Sequence, residues 1–156
     1  MDEIDIRILA ELQENGRLTN HELAGRVGLS SSPCWRRVRR LEEAGIINRY
    51  AAILSPVEIG LHVVAFAHVL LESHHTGVIT AFDEIVNRHQ AVQECFSTSG
   101  EYDYLLKVVV PSMEDYERFL SNSLLASGTV RQVNTGFVLK QVKQTTSLPL
   151  QTVAGA

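Results

Sequence analysis

Four arginines, Arg36, Arg37, Arg39 and Arg40, fall within five consecutive positions, just after the hydroxyl run Ser30-Ser31-Ser32. A guanidinium is planar, always charged and suited to bidentate contact with phosphate or guanine, and serine hydroxyls add further donors. The chemistry open to this grouping is recognition of double-stranded DNA. The competing reading is a solvated helix face, which is common on surface helices. Other groupings point less clearly. His74-His75 comes without Cys-x-x-Cys or His-Glu-x-x-His spacing, and adjacent residues at a strand end point apart, so a solvated loop is expected there, with no metal site and no cofactor. Cys34 and Cys95 lie far apart in apolar-periodic segments, the way reduced proteins use cysteine. Cys34 is expected in the core rather than as a redox sensor, although arginines lie near it in sequence.

Charge supports the DNA reading only when it is divided. The chain has 156 residues, with 14 Lys or Arg against 18 Asp or Glu and a formal net charge of -4, a total that names no partner. Residues 1–50 hold eight bases, every one an Arg, and eight acids, so the whole excess of acid lies beyond them. At 21% charged and 45% hydrophobic residues, disorder and low complexity are excluded. The start Met1-Asp-Glu-Ile-Asp does not fit an export signal, and the longest nearly uncharged apolar run, Ile59 to Leu71, is too short to span a bilayer. A cytoplasmic protein without a membrane partner is expected.

The elements that must hold these side chains begin with a helix: Ile4, Ile8, Leu9 and Leu12 follow helical spacing, with Asp2 and Asp5 at the start and Asn15-Gly16 at the end. Thr19-Asn20-His21-Glu22 has the spacing of a capping box, opening a second helix that carries Leu23, Ala24 and Val27 and stops at Gly28. Ser30 to Pro33 then caps a third helix running to about Gly45, with Cys34, Val38 and Leu41 on its buried stripe. Ser32, Arg36, Arg39 and Arg40 share the opposite face, and Trp35 at the boundary is expected to pack between helices. A helix, a tight glycine turn and a helix with Ser and Arg on its free face make a helix-turn-helix, whose second helix enters the major groove. Ile46 to Ile53 is expected as a short strand starting a wing or linker.

Downstream, His62 to Glu72 is apolar on both parities and reads as a strand buried on both faces. Thr76 is expected to cap a helix with Val78, Phe82, Ile85 and His89 in phase, followed by strands at Val92 to Thr98 and Tyr104 to Val110 joined by the tight connection Ser99-Gly100-Glu101-Tyr102-Asp103. Ser112 opens a helix with Met113, Tyr116, Leu120 and Leu124 in phase, and Val130 to Val142 makes a last long strand. The order βαββαβ is the split ferredoxin-like motif, with both helices on one sheet face. The other face would stay bare and apolar in a single chain, so a second copy in an isologous dimer is expected to cover it. The fold class is therefore α+β: a winged helix-turn-helix over residues 1–50, a linker strand or hinge over 51–61, a ferredoxin-like domain over 62–150 and a tail over 151–156.

The runs Asp2-Glu-Ile-Asp-Ile-Arg-Ile-Leu, Leu12-Gln-Glu-Asn-Gly-Arg-Leu-Thr, Leu23-Ala-Gly-Arg-Val-Gly-Leu-Ser, Pro33-Cys-Trp-Arg-Arg-Val and Leu41-Glu-Glu-Ala-Gly-Ile-Ile, with Gly100-Glu-Tyr-Asp-Tyr-Leu-Leu-Lys-Val and the end Phe137-Val-Leu-Lys-Gln-Val-Lys-Gln-Thr-Thr-Ser-Leu-Pro-Leu, resemble the Lrp/AsnC family of feast/famine transcriptional regulators. The resemblance spans residues 1–150 in order. It implies DNA contacts from Thr19, Asn20, Ser30, Ser31, Ser32, Arg36, Arg37, Arg39 and Arg40. It also implies a small effector, commonly an amino acid, held at Ser99, Gly100, Glu101, Tyr102 and Asp103 with Thr135 and Gly136. Glycine there lets a ligand approach backbone amides that can hold a carboxylate, and Asp103 offers an acceptor for an ammonium group. Without the resemblance, Gly100 to Asp103 reads first as a plain hairpin turn, since Gly and Asp dominate such turns.

The resemblance further implies homodimers that assemble to higher oligomers, often octamers, on a pseudo-palindromic operator. Two departures stand out: Ser31 occupies a position where many members have proline, and Gly136 one where others carry a hydroxyl or aromatic side chain. Some proteins that resemble this family are sirohaem decarboxylases, so an enzyme is the alternative to a regulator, and an amino-acid-binding module without DNA function is a third reading. An enzyme would place its titratable groups in the sensing-domain cleft, whereas here the Arg density lies at positions 36 to 40.

Overall fold

The computed structural model describes residues 1–150. They divide into two compact units, one made of Met1–Ile53 with the segment from Lys143 onward, the other of Leu54–Val142. Residues 151–156, expected as a tail, lie outside the described residues.

In the first unit α1 spans Glu3–Glu14, and its start is fixed by a reciprocal box in which Asp2 accepts from the Asp5 amide and Asp5 from the Asp2 amide. Helix α2, Asn20–Val27, is capped by Thr19 and Glu22 as the spacing predicts, and ends at Gly28 with φ of +73°, where a left-handed residue is required. Helix α3 spans Ser31–Glu43. Ser30 holds its N-cap position, but its hydroxyl makes no capping bond. Ile8, Leu9, Leu23, Ala24, Val27, Cys34 and Leu41 form the core that locks the three helices. Trp35, expected between helices, is instead 50% exposed.

Residues 46–53 contain no strand. β-branched residues favour extended backbone there, but no neighbouring strand supplies a ladder. The segment from Lys143 also departs from the sequence reading, which carried the sensing domain to residue 150. Leu150 packs on the helical core, and the Gln13 side chain grips the Leu148 backbone, Oε1 accepting from its amide at 2.7 Å and Nε2 donating to its carbonyl at 3.3 Å.

In the second unit β1 (Val63–Leu71), α4 (Thr76–Arg88), β2 (Val92–Ser97), β3 (Tyr104–Val110), α5 (Met113–Phe119) and β4 (Val130–Phe137) give the expected βαββαβ order. The sheet is antiparallel with strand order β2-β3-β1-β4. His75, not Thr76, is the N-cap of α4 and its side chain makes no capping bond, whereas Ser112 caps α5 as predicted by accepting from the Asp115 amide. After α5 the chain widens into a π turn at Leu120–Leu124 and tightens to a 3-10 turn before Gly128. β4 stops at Phe137 rather than Val142 because β1, its partner, begins at Val63; Leu139 and Val142 beyond it are almost fully exposed.

Ala65, Ala67, Val69 and Leu71 of β1 and Leu106, Val108 and Val110 of β3 face the helices and pack with Phe82, Tyr116, Phe119 and Leu124. The alternate parity is different in the single chain. Val64 is partly covered, Phe66 is 38% and Phe96 50% exposed, and this face also carries Leu105 and Val109. No helix among the described residues is long and apolar enough to cross a membrane.

Candidate nucleic-acid interface and effector turn

Helix α3 exists where it does because two local signals meet: the Gly28 turn reverses the chain after α2, and Cys34 and Leu41 are drawn into the core. That leaves Ser31, Ser32, Arg36, Arg39 and Arg40 exposed and Arg37 half-buried. The hinge with α2 is tied by Asn20, whose Nδ2 donates to the Ser31 carbonyl at 2.8 Å, and by a longer contact of 3.4 Å between His21 Nδ1 and Ser31 Oγ. Thr19 is occupied with Glu22, its hydroxyl and amide both donating to the carboxylate, which lowers the Glu22 pKa below the usual range. Asn20 and Thr19 thus set the entrance geometry first, whatever they touch beyond it.

The arginines divide. Arg36 is exposed and forms no ion pair among the described residues. Arg39 stacks over the Trp35 ring, 5.3 Å from its centroid, and donates to Glu43 at 3.2 Å. Arg37 and Arg40 turn instead to the start of α1: Arg37 donates to Asp2 at 2.7 Å and Asp5 at 2.8 Å, and Arg40 donates to Asp5 at 2.6 Å. Sequence reasoning missed Asp2 and Asp5 as part of this face, treating them only as helix-start acids. The signal was present at Arg37, which lies three positions after Cys34 and four before Leu41 and so beside the buried stripe. Cys34 is fully buried and burial pushes its thiol pKa up, the opposite of a reactive cysteine.

In the second unit, Ser99, Gly100 and Glu101 form an exposed tip, and Gly100 has φ of +122°, which only glycine adopts freely. The base of the tip is braced: the Thr98 hydroxyl donates to the Tyr102 carbonyl at 2.9 Å, and the Thr98 amide to the Asp103 carbonyl at 2.9 Å. Asp103 is fully engaged. One carboxylate oxygen accepts from the Leu71 amide at 2.8 Å and the other meets His74 Nε2 at 2.7 Å, and these bonds, the Leu71 amide foremost, hold its pKa below the usual carboxylate range.

Tyr102 lies on the exposed sheet face, its ring 5.3 Å from that of His68 and its hydroxyl accepting from Asn134 at 3.3 Å. Gly136 pairs with Phe66 across the ladder, and open space surrounds the position a Cβ would take. Thr135 is on the helix side, its hydroxyl hydrogen-bonded to that of Tyr116. The structure therefore groups Tyr102 with the face that carries Gly136 and separates Thr135 from it. His68 and Asn134 were not singled out from the sequence, and His74 was read only as part of a solvated loop, not as a partner of Asp103. For His68 the strand parity was the available signal, since every second residue of β1 points away from the helices.

A family model described as a winged helix-turn-helix DNA-binding domain matches residues 1–48, and one described as the Lrp/AsnC ligand binding domain matches residues 64–148. The chain is 41% identical over 152 residues to the leucine-responsive regulatory protein of Escherichia coli (strain K12), covering 97% of this chain and 93% of that protein. It is similar in structure to a transcriptional regulator of Neisseria meningitidis solved as a complex with L-Met, with a TM-score of 0.95 and 44% identity over 98% of this chain and 99% of that one. An AsnC family transcriptional regulator from Agrobacterium tumefaciens aligns with a TM-score of 0.92 and 40% identity over 97% and 99% of the two chains. With the helix-turn-helix and the ferredoxin-like sheet both in place, the chain belongs to the Lrp/AsnC family: it is a transcriptional regulator with a DNA-binding unit and a ligand-binding unit.

Proposed function

We propose that the protein binds a pseudo-palindromic duplex as an assembly of identical chains, and that an amino acid at the Ser99–Asp103 turn selects which assembly forms. The observation that carries the effector class is the L-Met complex of the Neisseria regulator, 44% identical to this chain. The exposed Gly100 tip supports it, because backbone amides there are open to a carboxylate. Asp103 contributes chiefly as the brace of that turn; an incoming ammonium group would share its oxygen with His74. Tyr102 and the space at Gly136 lie on the exposed sheet face, while Thr135 acts from the helix side through Tyr116.

The half-exposed Phe66 and Phe96 on that face favour a dimer through it, and a two-fold presents two copies of α3 to a two-fold site. Further assembly to an octamer extends the same reading. The ligand acts only through its different affinity for the competing assemblies. No catalytic step is assigned: the titratable pair nearest the turn, His74 and Asp103, is bonded to itself.

Calorimetry with L-Met, L-Leu and L-Asp, alongside light scattering, tests the effector. L-Met or L-Leu should bind and shift the oligomer distribution, and Gly100→Ala should abolish both effects. Equal heats for wild type and Gly100→Ala, or binding with no change of assembly, would reject this mechanism.

A further inference from the structure

Arg37 lies three positions after the buried Cys34 and four before the buried Leu41, so helical spacing places it at the edge of the buried stripe rather than at the centre of the free face. From there its Nη1 donates to both Asp2 oxygens, at 2.9 and 2.7 Å, and to Asp5 Oδ1 at 2.8 Å. Arg40 donates from Nη2 to Asp5 Oδ2 at 2.6 Å. Asp5 is 1% exposed, and its remaining partner is the Asp2 amide at 3.0 Å. A carboxylate buried to that extent is tolerated only while paired and hydrogen-bonded. Swinging either guanidinium onto a phosphate would strip a partner from that charge. Asp5 also closes the capping box of α1, so one side chain fixes both where α1 begins and how α3 lies against it.

On the reading of α3 as the recognition helix, we propose that Asp5, Arg37 and Arg40 are positioning residues that set how α3 is presented to the groove, and that Arg36 with the Ser31-Ser32 entrance makes the contacts to DNA. The charge relevant to DNA is then smaller than the arginine cluster suggests, because the two cations and the two acids, Asp2 and Asp5, neutralise each other.

The salt dependence of affinity distinguishes the two roles. A duplex selected by the wild-type full chain from a random pool serves as specific probe, an unrelated duplex as control, and both are titrated over a KCl series. Each phosphate that the protein ceases to neutralise lowers the slope of log affinity against log salt by about 0.9. Arg36→Ala should lower that slope. Arg37→Gln and Arg40→Gln should leave it unchanged while cutting the preference for the selected duplex by roughly tenfold. Arg37→Gln combined with Asp5→Asn should reduce the preference no further than the worse single variant, because both break the same ion pair. If Asp5→Asn does not fold, the exposed Asp2 takes its place in the cycle as Asp2→Asn. A slope that falls for Arg37→Gln or Arg40→Gln as it does for Arg36→Ala, an unchanged preference, or additive effects in the double variant would overturn the proposal. If Arg36→Ala leaves both slope and affinity untouched, the recognition-helix reading itself fails and the positioning role falls with it.

Discussion

At the residue scale, the Asp103 carboxylate shows how a side chain proposed for a ligand site can already be occupied by the fold. Its two oxygens tie the β3 end of the turn to the Leu71 amide and to His74. Because its pKa is depressed in the folded state, the stability it contributes is fully present above the unfolded carboxylate value of about 3.9 and is lost as pH falls through the lower folded value. Thermal melts of wild type and Asp103→Asn should therefore differ at pH 7, and the gap should close on acidification below about pH 4. Curves that stay parallel down to pH 3 would mean that the ionised carboxylate does not brace the turn. Tyr102, which shares the exposed face with His68 and Asn134, is the better candidate for direct contact with a ligand side chain.

At the element scale, the helix-turn-helix depends on the two ends of α2. Thr19 and Glu22 satisfy the first amides, and Gly28 supplies the left-handed residue that lets α3 leave at its angle. Thr19→Ala should cost about 1 kcal/mol in chemical denaturation of the first unit. Gly28→Ala meets no steric neighbour, so its cost should be the backbone strain alone, about 1 kcal/mol, and the two costs should add because the sites share no partner. A cost of Gly28→Ala well beyond that would show that more than the local backbone conformation depends on this turn. In the second unit the tight tip between β2 and β3 places Gly100 at a solvent-facing end, where a ligand can reach main chain without unfolding a strand.

At the scale of the whole molecule, residues 143–150 join the first 53 in the DNA-binding unit, which is connected to the sheet unit before Leu54 and again after Val142. The Gln13 grip on Leu148 and the packing of Leu150 make the segment after the second connection a structural part of the helical unit. The open sheet face is the other whole-molecule feature. A charge placed at Phe66, half-way along β1, should be incompatible with a second copy on that face. Phe66→Asp is expected to lower the mass seen by light scattering and to weaken binding to a two-half-site duplex far more than to a single half-site. Unchanged mass would place the assembly contact elsewhere.

Element order, the helix-start acids Asp2 and Asp5, the capping box at Thr19, the Gly28 turn, the Ser112 cap and the βαββαβ arrangement were all legible in the sequence, because each depends on residues within a few positions of one another. The ends of elements were less legible: Ile46 to Ile53 has strand-like residues but no partner strand, and β4 ends where its antiparallel partner β1 begins. The arginine face of α3 and the tight Gly100 turn were legible as local features, not as sets of contacts. Which arginines are tied down, which oxygens of Asp103 are taken and where residues 143–150 lie were decided by tertiary structure alone. Arg37 and Asp5 are 32 positions apart, Leu71 and Asp103 likewise 32, and Gln13 and Leu148 are 135 apart. No local pattern encodes such pairs: the Asp5 carboxylate is carried into the interior by packing and must find partners there, whereas the exposed Gln13–Leu148 bonds form only once the fold brings the two segments side by side.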